Sequence, residues 1–369
     1  MALPNPGEFT KKLLRYFSSM PNISKMGFLS SFFVTTSEDI TEAEYVSLDI
    51  ERTDEDAAPV LRDISTGAIA ISEDLYTNKT IKPPTYALER TLDVFKLLKR
   101  QPGDTEYERL GQWLGKLMNR VVKAWNKMFQ MIKYGIERQA SQILQTGTLS
   151  LTDDKGNVAY TLDYKPKATH FPTVSTSWAT FATATPLDDI DALADVIRDD
   201  GLVDVTNLIM GAGSFKNFLQ CTQVKEMADI RRYENVVMIN PRLANLGAKY
   251  QGTVSWSNYK YDIWTYNGRF KDFATGTKSK YIADDKVIFL PDMEDLDFRK
   301  VYGGVPQILN SMAPFDQFMP QNITIDGVAN FKARVYADQK ADSITCEVKT
   351  RPILIPASID RFGCLDTAP

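Results

Sequence analysis

The sequence predicts an α+β fold in which one domain is interrupted by another. A long helical pattern in the first half of the chain ends at Gly147, and a β-hairpin follows at once, up to Tyr164. A segment with its own alternation of helices and strands comes next, from about Pro186 to Asp295. Long alternating stretches, which are typical of extended strands, then complete the interrupted domain.

The first 84 residues contain segments with too few apolar residues for a core of their own. Ala2–Ile40 has only short apolar clusters, so we predict an arm that lies on another part of the assembly. Tyr45–Arg52 alternates like a strand. Thr53–Pro84 has short strand-like runs between turn signals, and we predict a long extended loop, a kind of loop that is usually functional or disordered.

The helical pattern is among the longest in the chain. Thr105 and Glu108 match a capping box, and apolar residues follow at three- and four-residue spacing until Gly147. A continuous helix over this stretch is about 60 Å long at 1.5 Å per residue. We interpret its apolar stripe as a buried core face.

The opposite face of this helix carries only positive charge. From Arg109 to Lys133 the helical stretch contains no Asp or Glu, although the whole chain has a formal net charge of −4. Its cations are Arg109, Lys116, Arg120, Lys123, Lys127 and Lys133. A solvated face is one explanation of this run. A surface held close to a polyanion is the alternative.

Composition argues against several classes of protein. Hydrophobic residues make up 43% and charged residues 24%, as in ordinary globular proteins. The acidic balance is unlike that of a free-standing nucleic-acid binder. Cys221, Cys346 and Cys364 are scattered, so neither a disulfide framework nor a zinc site is predicted. No apolar run approaches the roughly 18 residues of a membrane span.

No motif in the chain predicts catalysis. The glycine-rich stretch Gly211–Ser214 lies between a strand and a helix, where glycines can cradle a phosphate. The third position of the dinucleotide motif is Lys216, however, so we interpret the stretch as a tight turn in which Ser214 caps the helix. His170, the only histidine, has no nucleophile motif near it. We predict no catalytic, metal-binding or cofactor-binding residue, and a nucleotide-using enzyme is the distant alternative.

Several short motifs occur in order along nearly the whole chain. They are ILQTG (143–147), LDY (162–164), SW (177–178), PLDDIDA (186–192), LIMGAGSFKNFL (208–219), YDIWTYNGRF (261–270), KYIADDKVIFLPD (280–292) and TRPILIP (350–356). In this order and spacing they resemble the major capsid proteins of tailed phages in the lambda-type capsid protein E family. Members of that family have the Hong Kong 97-type fold.

The resemblance implies a division of the chain into five parts. They are an N-arm and lead-in strand (1–52), an E-loop that lies over a neighbouring subunit (53–84), a P domain with the spine helix and hairpin (85–185), an inserted A domain (186–295) and a return to the P domain (296–369). The A domain of such proteins gathers around five- and six-fold axes. The hairpin that follows the spine helix therefore needs no ligand, because its partners are other copies of the chain.

The resemblance also implies function, location and partners. It implies a structural protein of the virion that assembles in the host cytoplasm into an icosahedral shell around double-stranded DNA. The implied partners are its own copies in hexamers and pentamers, a separate scaffolding protein, a portal and the packaged DNA, with no membrane and no cofactor. Whether a decoration protein is also used stays open. An encapsulin-like nanocompartment shell is the alternative within the same fold.

Two sets of site residues follow from the resemblance. The inter-subunit set in the E-loop is Lys79, Lys82, Pro83 and Pro84. The interior basic face is Lys116, Arg120, Lys123 and Lys127, which would meet either packaged DNA or the scaffolding protein. Some relatives cross-link a Lys to an Asn covalently, and this is not expected at the two E-loop lysines.

Overall fold

The computed structural model describes most of the chain in separate segments, namely residues 27–41, 43–51, 76–93, 113–229, 236–237, 242–245, 247–257, 259–305, 323–325, 329–338 and 343–369. Within them, the helices are α1 (Trp113–Thr146), α2 (Pro186–Gly201), α3 (Ala212–Gln220) and α4 (Thr222–Asp229). The mixture of helices and sheets confirms the predicted α+β class. The predicted capping box at Thr105 and Glu108 lies outside the described residues.

The strands fall into three successive groups. Before and after α1 they are β1 (Val46–Glu51), β2 (Tyr76–Ile81), β3 (Tyr86–Asp93), β4 (Thr148–Thr152) and β5 (Val158–Asp163). In the middle of the chain they are β6 (Asn207–Met210), β7 (Val236–Val237), β8 (Arg242–Asn245), β9 (Ala248–Trp256), β10 (Tyr259–Tyr266), β11 (Arg269–Lys271), β12 (Lys278–Lys280) and β13 (Lys286–Leu290). The last group is β14 (Phe298–Tyr302), β15 (Ile323–Ile325), β16 (Ala329–Asp338), β17 (Ser343–Thr350), β18 (Pro352–Pro356) and β19 (Gly363–Asp366).

Helix α1 ends where the sequence predicts. Gly147 adopts a φ of 65°, a left-handed conformation that terminates helices and favours glycine. A Cβ at this position would also collide with the ring of Pro166. Strands β4 and β5 pair antiparallel from Thr148↔Asp163 onward, so the predicted hairpin is confirmed. Backbone amides of its tip bond to the carboxylate of Asp153.

Strands from both ends of the described chain build the sheets that pack on α1. Strand β3 pairs with β17 from Tyr86↔Thr350 to Asp93↔Ser343, and β17 pairs in turn with β16. The ring of Phe129 on α1 meets Phe331 on β16 at 5.5 Å between centroids. The chain therefore leaves this part of the fold after the hairpin and returns to it with its late strands, as the interrupted layout predicts.

The middle of the chain forms a seven-stranded mixed sheet in the order β19-β13-β6-β10-β9-β7, with β8 also paired to β9. The two faces of this sheet contribute side chains to two different hydrophobic cores, because successive side chains of a strand point to opposite faces. Leu208 and Phe289 pack with the helices α2, α3 and α4. Ile209 and Ile288 pack in the core that contains α1. The sequence has strand-like runs at NLIM (207–210), TVSWSN (253–258), YDIWTYNG (261–268) and KVIFLPD (286–292), and they overlap β6, β9, β10 and β13.

The last strand of the chain joins this inserted sheet. Strand β19 pairs antiparallel with β13, from Lys286↔Asp366 to Phe289↔Gly363. The rest of the late strands, β14 to β18, lie in other sheets. The predicted domain boundary between residues 295 and 296 stays a prediction. Strand β19 follows this boundary in sequence and forms hydrogen bonds with β13, which precedes it.

Candidate assembly surfaces

The described part of the N-terminal arm packs into the core of its own chain. Phe28 and Leu29 are buried, and Phe33 stacks on Phe298 at 4.9 Å between ring centroids. Short parallel bridges join Val34 and Ile40 to strand β14. The expectation that all of Ala2–Ile40 depends on neighbouring subunits is therefore wrong for residue 28 onward, because this apolar cluster finds its core within the chain.

A buried carboxylate anchors the arm to α1. Glu137 is 2% exposed, and its Oε1 and Oε2 atoms accept hydrogen bonds of 2.8–2.9 Å from the backbone amides of Phe28, Leu29 and Ser30. These amides open a short 3₁₀ turn, Leu29–Phe32, and have no partner inside the turn. The carboxylate therefore caps the arm from a residue more than a hundred positions away.

The same carboxylate reaches the inserted sheet. Glu137 Oε1 also accepts a hydrogen bond of 2.9 Å from the Tyr266 hydroxyl on β10. Burial raises the pKa of Tyr266 well above its ordinary value, and the negative charge of Glu137 raises it further. Burial and the same charge raise the pKa of Tyr281, whose ring stacks on Tyr266 at 6.0 Å. Arm, spine helix and inserted sheet thus meet at one side chain.

A buried guanidinium holds the root of the E-loop. Arg351 is 3% exposed, and it donates to the carbonyl oxygens of Gly304 at 2.7 Å, Glu44 at 3.0 Å and Pro83 at 3.2 Å. Glu44 precedes β1 and Pro83 follows β2, the two strands that pair as the base of the loop. Arg351 therefore ties both ends of the E-loop to the late strands of the same subunit.

The predicted inter-subunit residues lie in two places. Lys82, Pro83 and Pro84 follow β2 at the root of the E-loop, and Lys79 lies within the β1–β2 strand pair. Lys82 pairs with Glu44 at 2.6 Å, and both side chains stay more than half exposed. The hydrogen bond and charge of Glu44 raise the pKa of Lys82. Pro83 is buried against Gly303, and Pro84 is half-buried. Lys79 stands opposite Leu48 in the β1–β2 pairing. Lys82 and Pro83 thus make contacts within the chain, and the predicted contact with a neighbour stays a prediction.

The basic face of α1 is a narrow exposed stripe on a helix that is otherwise well buried. Lys123 and Lys127 are exposed and Arg120 is half-buried, whereas the adjacent residues Val122, Ala124 and Met128 are buried. The side chain of Lys116 lies outside the described part of the chain. Among the described residues, neither of the two exposed lysines takes part in an ion pair. The predicted placement of these two lysines opposite the apolar stripe agrees with the structure.

The glycine-rich turn has no space for a phosphate. A Cβ at Gly211 would collide with the Ala283 carbonyl, and Gly213 packs against Asp284. Ser214 donates its amide and hydroxyl to the Asp284 carbonyl, at 2.7 and 2.9 Å. The interpretation of Ser214 as the cap of α3 is wrong, because Gly211 holds that position and Ser214 lies within the first turn.

His170 is a structural histidine. It is fully buried, with Nδ1 2.9 Å from the Phe362 carbonyl and Nε2 2.9 Å from the Asp200 carboxylate. Asp200 also pairs with Lys167 at 2.8 Å. The histidine therefore ties the chain before α2 to the end of α2 and to the segment before β19, with both ring nitrogens already engaged.

Sequence reasoning missed the two most connected residues. Glu137 occupies a position on the buried side of α1, and Arg351 stands directly before the apolar run of β18. A lone charge at a core-facing position is the signal that could have marked them, because a buried charge is stable only with polar partners. The partners themselves lie up to 307 residues away, which no local pattern reveals.

In the described residues, these contacts define an α+β protein in which a long spine helix holds the N-terminal segment and an inserted mixed sheet through buried charges. The sequence profile of the family described as phage major capsid protein E matches residues 9–362. The chain therefore belongs to this family. It is a structural capsid protein of a tailed phage, it resides in the virion, and its copies assemble into the shell. The family assignment favours this function over an encapsulin-like compartment.

Solved structures agree on the fold. The chain is similar to a protein described as the capsid protein of a prophage of E. coli CFT073, with 17% identity, a TM-score of 0.63 and coverage of 97% of this chain and 98% of that chain. It is also similar to a phage-related protein from Bordetella bronchiseptica RB50, with 11% identity, a TM-score of 0.50 and coverage of 97% and 96%. The Hong Kong 97-type fold is confirmed. No curated protein matches the sequence. In the described residues no helix has the length and hydropathy of a membrane span.

Proposed function

We propose that hexamers and pentamers of this chain close an icosahedral shell around double-stranded DNA, with the basic face of α1 turned toward the interior. A scaffolding protein, a portal and a decoration protein are its further partners, and the E-loop lies over a neighbouring copy. We also propose that the chain has no catalytic role, because its glycine-rich turn is filled by Asp284 and its one histidine is engaged within the fold.

The observation that supports the interior placement is that the two exposed lysines of α1, Lys123 and Lys127, take part in no ion pair among the described residues. Arg120, Lys123 and Lys127 follow one another at three- and four-residue spacing, so they share one side of the helix. A capsid should not repel the phosphates of its genome, and it should not grip them so tightly that the DNA cannot leave. A row of lysines attracts DNA without reading its sequence, and salt weakens the attraction.

The scaffolding protein is the second candidate partner of the same face. Scaffolds act before the genome enters, so an interior surface meets the scaffold first and the DNA later. Loss of the charges would then reduce shell formation itself, whereas a role toward DNA alone would leave empty shells at full yield. The stage that fails when the charges are removed, either shell formation or DNA packaging, therefore shows which of the two partners the face binds.

The test is a charge-neutralised variant in which Lys116, Arg120, Lys123 and Lys127 are all changed to Gln. We expect an unchanged thermal unfolding midpoint, together with fewer shells or fewer DNA-filled particles. The matched control changes four exposed lysines elsewhere, Lys216, Lys225, Lys249 and Lys260, to Gln. DNA-filled, infectious particles at the wild-type yield from the α1 variant would show that the face is only a solvated surface.

A further inference from the structure

Strands β11 and β12 form a two-stranded ribbon with positive charges directly opposite each other. Arg269 pairs with Lys280, and Lys271 pairs with Lys278. Alternate residues share a face of a strand, so all four cations lie on one face of the ribbon. Like charges directly opposite are destabilising in a sheet. Of these four cations, Lys280 alone pairs with a carboxylate among the described residues, that of Asp284. The face is therefore suited to an acidic partner.

The other face of the ribbon is fixed to α1. Phe270 lies under the Arg138 guanidinium at 5.3 Å and packs on Tyr281 at 5.0 Å between ring centroids. Arg138 also pairs with Asp272 in the turn at 3.7 Å. These contacts hold the cationic face away from the body of the protein. At the tip, Phe273 is 73% exposed, the highest value among the exposed large apolar side chains of the described residues.

A groove elsewhere on the same chain has the complementary character. It has a volume of about 670 Å³ and lies between the segment before β1, the end of α2 and strands β14 and β18. Its apolar lining includes Val46, Val301, Ile355 and Ile359. Its carboxylates are Glu38, Asp39, Asp200, Asp297 and Asp360, against two guanidinium groups, Arg299 and Arg361. Asp200 pairs with Lys167 and Asp297 pairs with Arg299, so five carboxylates against Lys167, Arg299 and Arg361 leave the groove acidic above largely buried apolar residues.

We infer that the β11–β12 ribbon of one copy docks in this groove on the next copy, with Phe273 on the apolar floor and Lys271 and Lys278 beside the carboxylates. An aromatic side chain in a pocket surrounded by complementary charge is a typical centre of an interface. The ribbon and the groove share no residue, so the contact is heterologous. Heterologous contacts close rings of subunits, which agrees with the capsomers of the proposed function on which this inference rests.

Cysteine cross-linking tests the contact directly. All three native cysteines are buried, whereas Ala274 at the ribbon tip and Ser47 in the groove are exposed. We expect Ala274→Cys mixed with Ser47→Cys to give a covalent heterodimer with a short bismaleimide. The double variant should give a ladder beyond dimers. Either single variant alone should give no dimer, because a heterologous contact does not bring identical residues together.

Reversal of the charges provides a second, independent test of the contact. Lys271→Glu with Lys278→Glu, or Glu38→Lys with Asp297→Lys, should lower the cross-linked yield about tenfold, because like charges then meet in the interface. Mixing the two charge-reversed chains, each with its own cysteine, should restore the yield. Phe273→Ala should lower it, whereas Val158→Ala, at another highly exposed apolar residue on the neighbouring hairpin, should not.

Three results overturn the inference. The first is the absence of a cross-link between the two single-cysteine variants. The second is a failure of the exchanged charges to restore the yield although both chains melt at the wild-type temperature. The third is normal cross-linking by the Lys271 and Lys278 variant together with a loss of packaged DNA, which would assign the ribbon to DNA. If shells form but the cysteine variants do not cross-link, the ribbon–groove contact is rejected and the proposed function stands. If the cysteine variants cross-link but the wild-type chain forms no shells, only the proposed function is rejected.

Discussion

The Oε1 atom of Glu137 lies 2.9 Å from the hydroxyl oxygen of Tyr266, and this hydrogen bond joins α1 to the inserted sheet. The same atom caps the arm through the amides of Phe28 and Leu29. Three parts of the chain that are distant in sequence therefore depend on one side chain. A capsid subunit must keep its arm and its inserted domain in a fixed relation to the spine, and this contact provides that relation.

We expect Glu137→Gln to lower the free energy of unfolding by about 1–3 kcal/mol, because the amide nitrogen of Gln cannot accept a hydrogen bond from the half-buried Ser30 amide. Chemical denaturation measures the change. Glu226→Gln, at an exposed position, is the control and should have no measurable effect. Equal stability of the two variants would show that Glu137 does not cap the arm.

The raised pKa of Tyr266 predicts loss of stability in alkali. In the unfolded chain tyrosine loses its proton near pH 10, whereas folded Tyr266 retains it to higher pH because of burial and the Glu137 charge. The contribution is fully present below pH 10. Above it the free energy of unfolding falls by about 1.4 kcal/mol per pH unit for each such tyrosine.

Above pH 10, the free energy of unfolding of Tyr266→Phe should therefore fall less steeply with pH, by about 1.4 kcal/mol per pH unit. At neutral pH the variant should be modestly less stable than the wild type. Denaturation between pH 8 and pH 11 measures this slope. Tyr134→Phe, at an exposed tyrosine, controls for the loss of a hydroxyl group. An unchanged slope in the Tyr266 variant would contradict the proposed charge environment.

Arg351→Lys should loosen the root of the E-loop. A lysine ammonium cannot span the three carbonyl oxygens that the planar guanidinium reaches, so we expect the free energy of unfolding to fall by about 2 kcal/mol. Arg198→Lys, at a surface ion pair with Asp204, should have no measurable effect because exposed ion pairs contribute little to stability. Indistinguishable losses from the two variants would argue against a clamp.

Two deletions separate the anchored part of the arm from the rest. Removal of Ala2–Met26 should leave a folded chain that forms no closed shells. Removal of Ala2–Ile40 also takes away Phe28 and Phe33 from the core, and we expect an unfolded or insoluble chain because that apolar surface is buried in the wild type. Size-exclusion chromatography with electron microscopy distinguishes these outcomes. Normal shells from the shorter deletion would reject an assembly role for residues 2–26.

The end of α1 and the hairpin were predictable because Gly147 supplies a local signal, and the strands of the inserted sheet were predictable from their apolar runs. The partners of Glu137 and Arg351 were not predictable, because these charges bind backbone groups more than a hundred residues away. The pairing of β19 with β13 is likewise a long-range contact without local signature. The alternating cations of the β11–β12 ribbon were visible in the sequence. Only the register of the two strands shows that these cations stand directly opposite one another.

Electron cryomicroscopy of particles assembled from the full chain tests the central claim most directly. We expect closed icosahedral shells in which α1 lines the interior and Lys123 and Lys127 face the lumen, next to layered DNA in filled particles. Shells in which these lysines face outward, or a chain that remains unassembled with its natural scaffold present, would contradict this account.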